Sequence, residues 1–242
     1  MDSFEEKNRE QIQKMGVDAE FKDLSHKWYL KSAEYEYEYH FTWLGRPFLQ
    51  LPQDMIAMQE IIYRVKPALI IETGIARGGS LIFYGSMLEL IGEEGIVVGI
   101  DVDIREHNRV EIEKHRMFKR IEMIQGSSLD EAIVGQVAKL VEGKKSVLVC
   151  LDSNHTHDHV LKELELYSPF VTKGSYLVVC DTIIEDMPDE YFPNRPWKKG
   201  NNPKTAVWEF LKTSDRFEID KELEDKLLIT QAPDGYLKCV KD

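Results

Sequence analysis

Ala68-Leu-Ile-Ile-Glu-Thr-Gly-Ile-Ala-Arg-Gly-Gly-Ser80 is the stretch on which the reading of this chain turns. Ala68–Ile71 is an unbroken apolar run, which suits a short strand buried on both faces of a sheet. Gly78–Leu90 has helical spacing. Between them lies a turn rich in glycine. Such a turn lets the backbone approach a ligand closely, and it aims the N-terminus of the next helix at that ligand. The spacing is Glu-x-Gly-x-x-x-Gly-x-Ser, not the Gly-x-Gly-x-x-Gly of a dinucleotide site. An acid before the first glycine suits a zwitterionic or cationic ligand better than a pyrophosphate. A tight turn without a ligand is the plainer alternative, and the density of small residues argues against it.

The same rhythm continues downstream. Apolar runs at Gly95–Ile100, Ile121–Ile124, Ser146–Leu151 and Ser175–Cys180 alternate with helical patterns at 105–118, 129–142 and His157–Pro169. Strands alternating with helices predict a doubly wound α/β fold around a mostly parallel sheet. After residue 181 the rhythm breaks. A loop rich in Pro, Asn and Lys (186–204) precedes a helix at Pro203–Leu211, and 216–240 reads as an antiparallel hairpin about Pro233-Asp234-Gly235. Upstream, Asp54–Val65 has helical spacing with Asp54 in place as a cap. Tyr35–His40 alternates aromatic and polar residues, and Phe41–Gln53 reads as an irregular loop whose aromatics need burial.

Composition narrows the class of function. The chain has 242 residues, 43% of them apolar, enough for a sizeable core. Its formal net charge of −12 disfavours nucleic-acid backbones. Cys150, Cys180 and Cys239 are too scattered for a disulfide framework or a zinc cluster and suit a reducing compartment. No apolar run approaches the roughly 20 residues of a membrane span. The charged start, MDSFEEKNREQIQKMG, lacks the apolar core of a signal peptide. A soluble cytoplasmic protein is the expectation.

In doubly wound folds, ligands sit outside the carboxyl ends of the strands. The second strand ends at Asp101, where a carboxylate can hold both hydroxyls of a ribose. A nicotinamide cofactor would use the same device, and Asp103 is the better cap for the helix that follows. The third strand leads into Ser127-Ser128; Ser128 reads first as a helix N-cap, and in a nucleoside site its loop would border adenine. The fourth strand ends in Asp152-Ser-Asn-His155-Thr-His157-Asp-His159, and the fifth in Cys180-Asp181-Thr182. Two strand-end aspartates with hydroxyl or amide oxygens nearby suit Mg²⁺ or another hard cation. His155, nearest the strand end, is the candidate general base. His157 and His159 read as a solvated first helical turn. The loop Tyr191-Phe-Pro-Asn-Arg-Pro-Trp-Lys-Lys-Gly200 is aromatic and basic within an acidic chain, and either covers an acceptor or is plain surface.

The combination of ETGIARGGS, GIDVD, LDSNH and GSYLVVCDT, with the stretch from Tyr35 to Phe83, resembles the class I S-adenosylmethionine-dependent O-methyltransferases. It is closest to the family that goes under the names cephalosporin hydroxylase and rhamnosyl O-methyltransferase, over roughly residues 27–183. The resemblance implies a Rossmann-like, seven-stranded, mostly parallel sheet with a C-terminal antiparallel hairpin. It implies an N-terminal helical and aromatic arm and lid over 1–53 and a methyltransferase domain over 54–242. Glu72, Thr73, Gly74, Ala76, Gly78, Gly79 and Ser80 would surround the methionine part and ribose of S-adenosylmethionine, Asp101 would hold the ribose hydroxyls, and Ser128 would border the base. Asp152 and Asp181 would bind Mg²⁺. Relatives often carry an acid before the second of these aspartates; here Cys180, a poor ligand for Mg²⁺, stands there, so Thr182 or a water would complete the shell. The acceptor would be a hydroxyl of a sugar, a surface-polysaccharide precursor or a small secondary metabolite, and a homo-oligomer would be usual.

Two other classes compete. A nicotinamide-dependent oxidoreductase explains the glycine turn and Asp101 but leaves Asp152 and Asp181 without work. A non-catalytic binding subunit of the same fold is the other. An iron- and 2-oxoglutarate-dependent hydroxylase would need a His-x-Asp…His triad in a β-barrel, and His157-x-His159 in an α/β chain is not that.

Overall fold

The structure is a computed structural model that describes residues 3–92 and 94–242; Met1 and Asp2 of the expected arm, and Glu93, lie outside the described residues. Chain order begins with α1 (Ser3–Val17) and α2 (Ala19–Ala33), then a small antiparallel pair, β1 (Thr42–Trp43) and β2 (Arg46–Pro47), and α3 (Pro52–Val65). The alternating body follows as β3 (Leu69–Thr73), α4 (Gly79–Leu90), β4 (Ile96–Asp101), α5 (Glu106–Glu113), β5 (Ile121–Gln125), α6 (Glu131–Val141), β6 (Val147–Leu151), α7 (His157–Tyr167) and β7 (Tyr176–Val179). It closes with α8 (Pro203–Thr213), β8 (Phe217–Ile219), α9 (Lys221–Leu227) and β9 (Tyr236–Cys239).

Among the described residues the main sheet has seven strands in the order β5-β4-β3-β6-β7-β9-β8. β5, β4, β3, β6 and β7 run parallel, and β9 pairs antiparallel with both β7 and β8. Alternation along each strand builds a core on each face. Ile70, Val97, Leu148 and Val178 meet α3 and α4 through Met58, Ile61, Ile62 and Leu81. Ile71, Val98, Val149 and Leu177 meet α6, α7 and α8 through Val137, Leu164, Val207 and Phe210. From β3 the chain turns to β4 on one side, and β6 lies on the other, so a crevice opens at the carboxyl ends of β3 and β6.

Several expectations are corrected. Asp54 does not cap α3, whose N-cap is Leu51 with Pro52 at the first position. Asp54 is buried instead and accepts from Thr230 Oγ1, from the Gln231 N–H at 2.9 Å and from Tyr236 OH at 2.7 Å. The segment 105–118 is not one helix: α5 stops at Glu113, and a 3₁₀ turn over Arg116–Arg120 follows, capped by His115 Nδ1. The C-terminal antiparallel pair is not a tight hairpin, because α9 lies between β8 and β9.

Candidate active site

The glycine turn is shaped by how closely its neighbours approach. Gly74 has φ +80°, and a Cβ there would lie 2.1 Å from the backbone oxygen of Asp152. Only glycine tolerates both conditions, so β3 and β6 end side by side, with the Asp152 N–H donating to the Thr73 carbonyl at 2.8 Å. Ala76 (φ +43°) and Gly78 (φ +77°) continue the left-handed turn into α4. A strap holds it from outside. Gly79 lies against the backbone of Pro47 and Phe48. The Arg46 guanidinium donates to the Arg77 carbonyl and, at 3.2 Å, to Asn108 Oδ1. Asn108 Nδ2 donates to the Ala76 carbonyl at 3.2 Å. Arg46 and Asn108 escaped the sequence reading because no local pattern marks residues that act across the fold.

Glu72 is buried in β3, and Ser80 Oγ donates to it at 2.7 Å. Burial pushes its carboxyl up to about 8, against the pull of the Ser80 hydrogen bond. Thr73 is also buried, and its Oγ1 has no partner among the described residues.

Asp101 ends β4. It accepts from the Ile75 N–H at 3.0 Å and the Asp103 N–H at 2.9 Å. It thereby ties the glycine turn to the next strand. Neither Asp101 nor Asp103 caps α5, whose N-cap is Arg105. A pocket of about 190 Å³ opens beside Asp101, lined also by Gly74, Gly126, Ser127, Ser128 and His159. Ser128 is not the N-cap of α6; Asp130 is, accepting from the Ala132 N–H. Ser128 is buried, its carbonyl accepts from Tyr167 OH at 2.8 Å, and its Oγ lies 3.4 Å from His159 Nε2.

The histidines of α7 are not a solvated turn. His157 Nδ1 lies 2.8 Å from Thr205 Oγ1 and its Nε2 3.3 Å from Glu209, which ties α7 to α8. His159 faces Ser153, Ser128 and the buried Glu163.

At the ends of β6 and β7, ligand atoms of Asp152, His155 and Asp181 all lie within 4.8 Å of one another. His155 Nε2 is 3.2 Å from Asp181 Oδ2. Burial, reinforced by the charges of Asp181, Glu72 and Glu163, pushes the Asp152 carboxyl well above its ordinary range. Two carboxylates crowded in this way repel when both are ionised, and a divalent cation among them removes the conflict, so the donor set fits one. The Trp197 ring packs edge-on against His155, 4.8 Å between centroids, and Arg195 lies over Trp197 at 5.0 Å. Beneath the cluster, Gln50 Oε1 and Tyr84 OH are buried without partners among the described residues, beside Asp152 and Asp181. Thr182 is not brought into the cluster. It is fully buried, and its hydroxyl donates to the Pro233 carbonyl at 2.6 Å. Cys180 is held as a neutral thiol, chiefly by burial, which removes it as a ligand for a hard cation.

This strand order, with an antiparallel strand inserted beside the last parallel one and a glycine turn after the first, is the architecture of class I methyltransferases. The sequence profile of the rhamnosyl O-methyltransferase/CmcI family matches residues 35–240, and the chain belongs to that family. It is an S-adenosylmethionine-dependent O-methyltransferase. A rhamnosyl O-methyltransferase of Mycobacterium tuberculosis (strain H37Rv) is 30% identical over 214 residues, 88% of this chain and 82% of that protein. Two solved structures share the fold. One is cmcI-D160 with Mg and SAM (TM-score 0.59, 18% identity, 84% of this chain and 78% of that one). The other is an O-methyltransferase from Bacillus cereus in complex with SAH (TM-score 0.54, 15% identity, 90% of each chain). The oxidoreductase and binding-subunit alternatives give way to this membership. Among the described residues no helix is long and apolar enough to cross a membrane.

Proposed function

We propose that the chain methylates a hydroxyl of a sugar of the kind named in its mycobacterial relatives, with a divalent cation, Mg²⁺ first, held by Asp152 and Asp181 beside His155. The observation that carries this reading is the gathering of those three side chains within 4.8 Å, next to the glycine turn. S-adenosylmethionine, when bound, supplies an electrophilic methyl group, and the cation supplies Lewis acidity toward the acceptor hydroxyl.

The chain's own residues do the rest. Glu72 and Ser80 receive the amino-acid end of the cofactor, and the glycine turn admits its backbone. Asp101 keeps lone pairs for the ribose hydroxyls beyond the two N–H groups it already accepts. Asp152 and Asp181 form the charged part of the cation site, and with the Thr182 hydroxyl committed to the Pro233 carbonyl, waters would complete the shell. His155 donates Nε2–H to the Asp181 carboxylate, which stabilises the imidazolium formed when the ring takes the acceptor's proton at Nδ1. Trp197 shields that ring from water. Much of the rate comes from holding the acceptor oxygen in line with the methyl group.

Residues 35–50 act as the lid. Tyr39 and Trp197 offer aromatic faces for a sugar ring, and Arg195, Lys198 and Lys199 give the mouth a basic rim that suits an anionic glycan or a sugar nucleotide. The test is turnover with S-adenosylmethionine against a panel of rhamnosides and nucleotide sugars, with the methylated position read by NMR. Asp152→Asn and Asp181→Asn are expected to lower turnover about 10³-fold and His155→Gln about 10²-fold, while S-adenosylhomocysteine still binds. Loss of cofactor binding in both aspartate variants would place the cluster in the cofactor site and overturn the assignment.

A further inference from the structure

His159 is built into a relay that its sequence context does not announce. Glu163, one turn further along α7, is fully buried; its Oε2 has no partner among the described residues, and its Oε1 accepts from Ser153 Oγ at 2.8 Å. His159 Nε2 lies 3.0 Å from the same Ser153 Oγ and 3.6 Å from Glu163 Oε1. A hydroxyl has one proton to give, and Ser153 gives it to the carboxylate. The imidazole therefore brings the hydrogen of the second bond: Nε2–H donates to Ser153 Oγ, a tautomer assigned from the network. That fixes the ring and leaves Nδ1 as an acceptor, with no hydrogen-bond partner among the described residues. The ring lines the pocket of about 190 Å³ into which Asp101 and Ser128 also face. A carboxylate buried behind a histidine is a costly way to orient it, and the packing of a surface helix alone gives no reason for one. The cation cluster does not claim His159 either, since that group is made of Asp152, His155 and Asp181.

We infer that His159 reads the nucleobase of the cofactor: its Nδ1 accepts a hydrogen bond from the exocyclic amine of adenine, so that this chain selects a 6-amino over a 6-oxo purine. The inference rests on the reading that the pocket beside Asp101 takes the cofactor's nucleoside. A 6-oxo group presents an acceptor to the Nδ1 lone pair, and two acceptors facing one another leave both unpaired.

The experiment is calorimetric titration of S-adenosylhomocysteine and its deaminated analogue S-inosylhomocysteine into the wild-type chain, His159→Phe and His159→Ala, with thermal denaturation to confirm that each variant is folded. The wild type is expected to favour the adenine ligand by about tenfold, the worth of one hydrogen bond left unmade. Both variants are expected to bring the two ligands within about twofold of each other; phenylalanine keeps a ring face for stacking but no nitrogen. An unchanged ratio in His159→Phe and His159→Ala overturns the inference, even if both affinities fall together, because that is what a merely structural role predicts. So does a wild type that does not discriminate. Failure of the wild type to bind either ligand is a different result: it strikes the cofactor reading itself, and the base-reading role falls with it.

Discussion

Glu72 and Asp54 are carboxyls that burial holds above their ordinary range, and their surroundings give them different uses. Glu72 stands at about 8 beside the glycine turn. A cationic group arriving there favours its ionised form, so binding expels a proton at any pH below that value. Affinity for S-adenosylhomocysteine is therefore expected to rise with pH from 6 to 8 by up to about tenfold per unit and then level off. Glu72→Gln should remove the slope, and calorimetry in buffers of different ionisation enthalpy would detect the released proton directly. A wild-type affinity independent of pH across that window would show that Glu72 does not meet the ligand's charge.

Asp54 stands at about 6, raised by burial against three hydrogen bonds that favour its charge. Its folded value exceeds the unfolded one, so its contribution to stability is present below pH 4 and is lost as pH rises through 6. Relative to Asp54→Asn, the wild type should lose about 3 kcal/mol between pH 4 and pH 7, read from urea denaturation of both proteins. A constant difference between the two would contradict the assignment. The sequence offered Asp54 as a cap because it stands at the head of the helical pattern, a place that favours Asp. Its true partners, Thr230, Gln231 and Tyr236, lie far along the chain, and nothing local announces them.

At the scale of elements, the strap formed by β1, β2 and the residues after them holds the glycine turn. Gly79 starts α4 directly beneath it: a Cβ there would lie 2.0 Å from the Pro47 carbonyl oxygen and 2.7 Å from Phe48 Cα. Both are backbone atoms, which cannot swing aside. Gly79→Ala is expected to cost about 1–3 kcal/mol by overpacking and to weaken S-adenosylhomocysteine binding, because relief comes only from moving the strap or the turn. A variant with wild-type melting temperature and affinity would show that the strap is loose. Strand-level features were legible because buried parallel strands are short apolar runs, and the stretch from Ala68 to Ser80 stated the turn outright. What could not be read is how elements meet: that 41–53 contains a β pair pinned through Arg46 and Asn108, that α9 separates β8 from β9, and that Thr182 turns toward Pro233 while His155 turns toward Asp181. These depend on contacts between residues remote in sequence, which a one-dimensional pattern does not carry.

At the scale of the whole molecule, the N-terminal helices are fastened to the C-terminal ones. Gly16 of α1 lies against Asp225 of α9, Arg9 reaches Glu222 at 3.6 Å, and Lys22 reaches Asp225 at 3.8 Å. The segment that follows them reaches the glycine turn, where Pro47, Phe48, Leu49 and Gln50 line a pocket with Gly74 and Asp152. Sheet order places the glycine turn, Asp101 and the aspartates of β6 and β7 along one edge of the molecule, which is why motifs scattered over more than a hundred positions can serve one reaction. The family follows from the profile match over residues 35–240, while the proposed cation rests on the cluster of Asp152, His155 and Asp181 and the proposed acceptor on the rhamnosyl relatives. The most direct test of that account is a calorimetric titration of S-adenosylhomocysteine into the chain, followed by Mg²⁺ into the resulting complex. The account predicts one cofactor per chain in the micromolar range and then one cation, the cation signal vanishing in Asp152→Asn. No binding of S-adenosylhomocysteine, or a cation signal that survives loss of the Asp152 carboxylate, would contradict it.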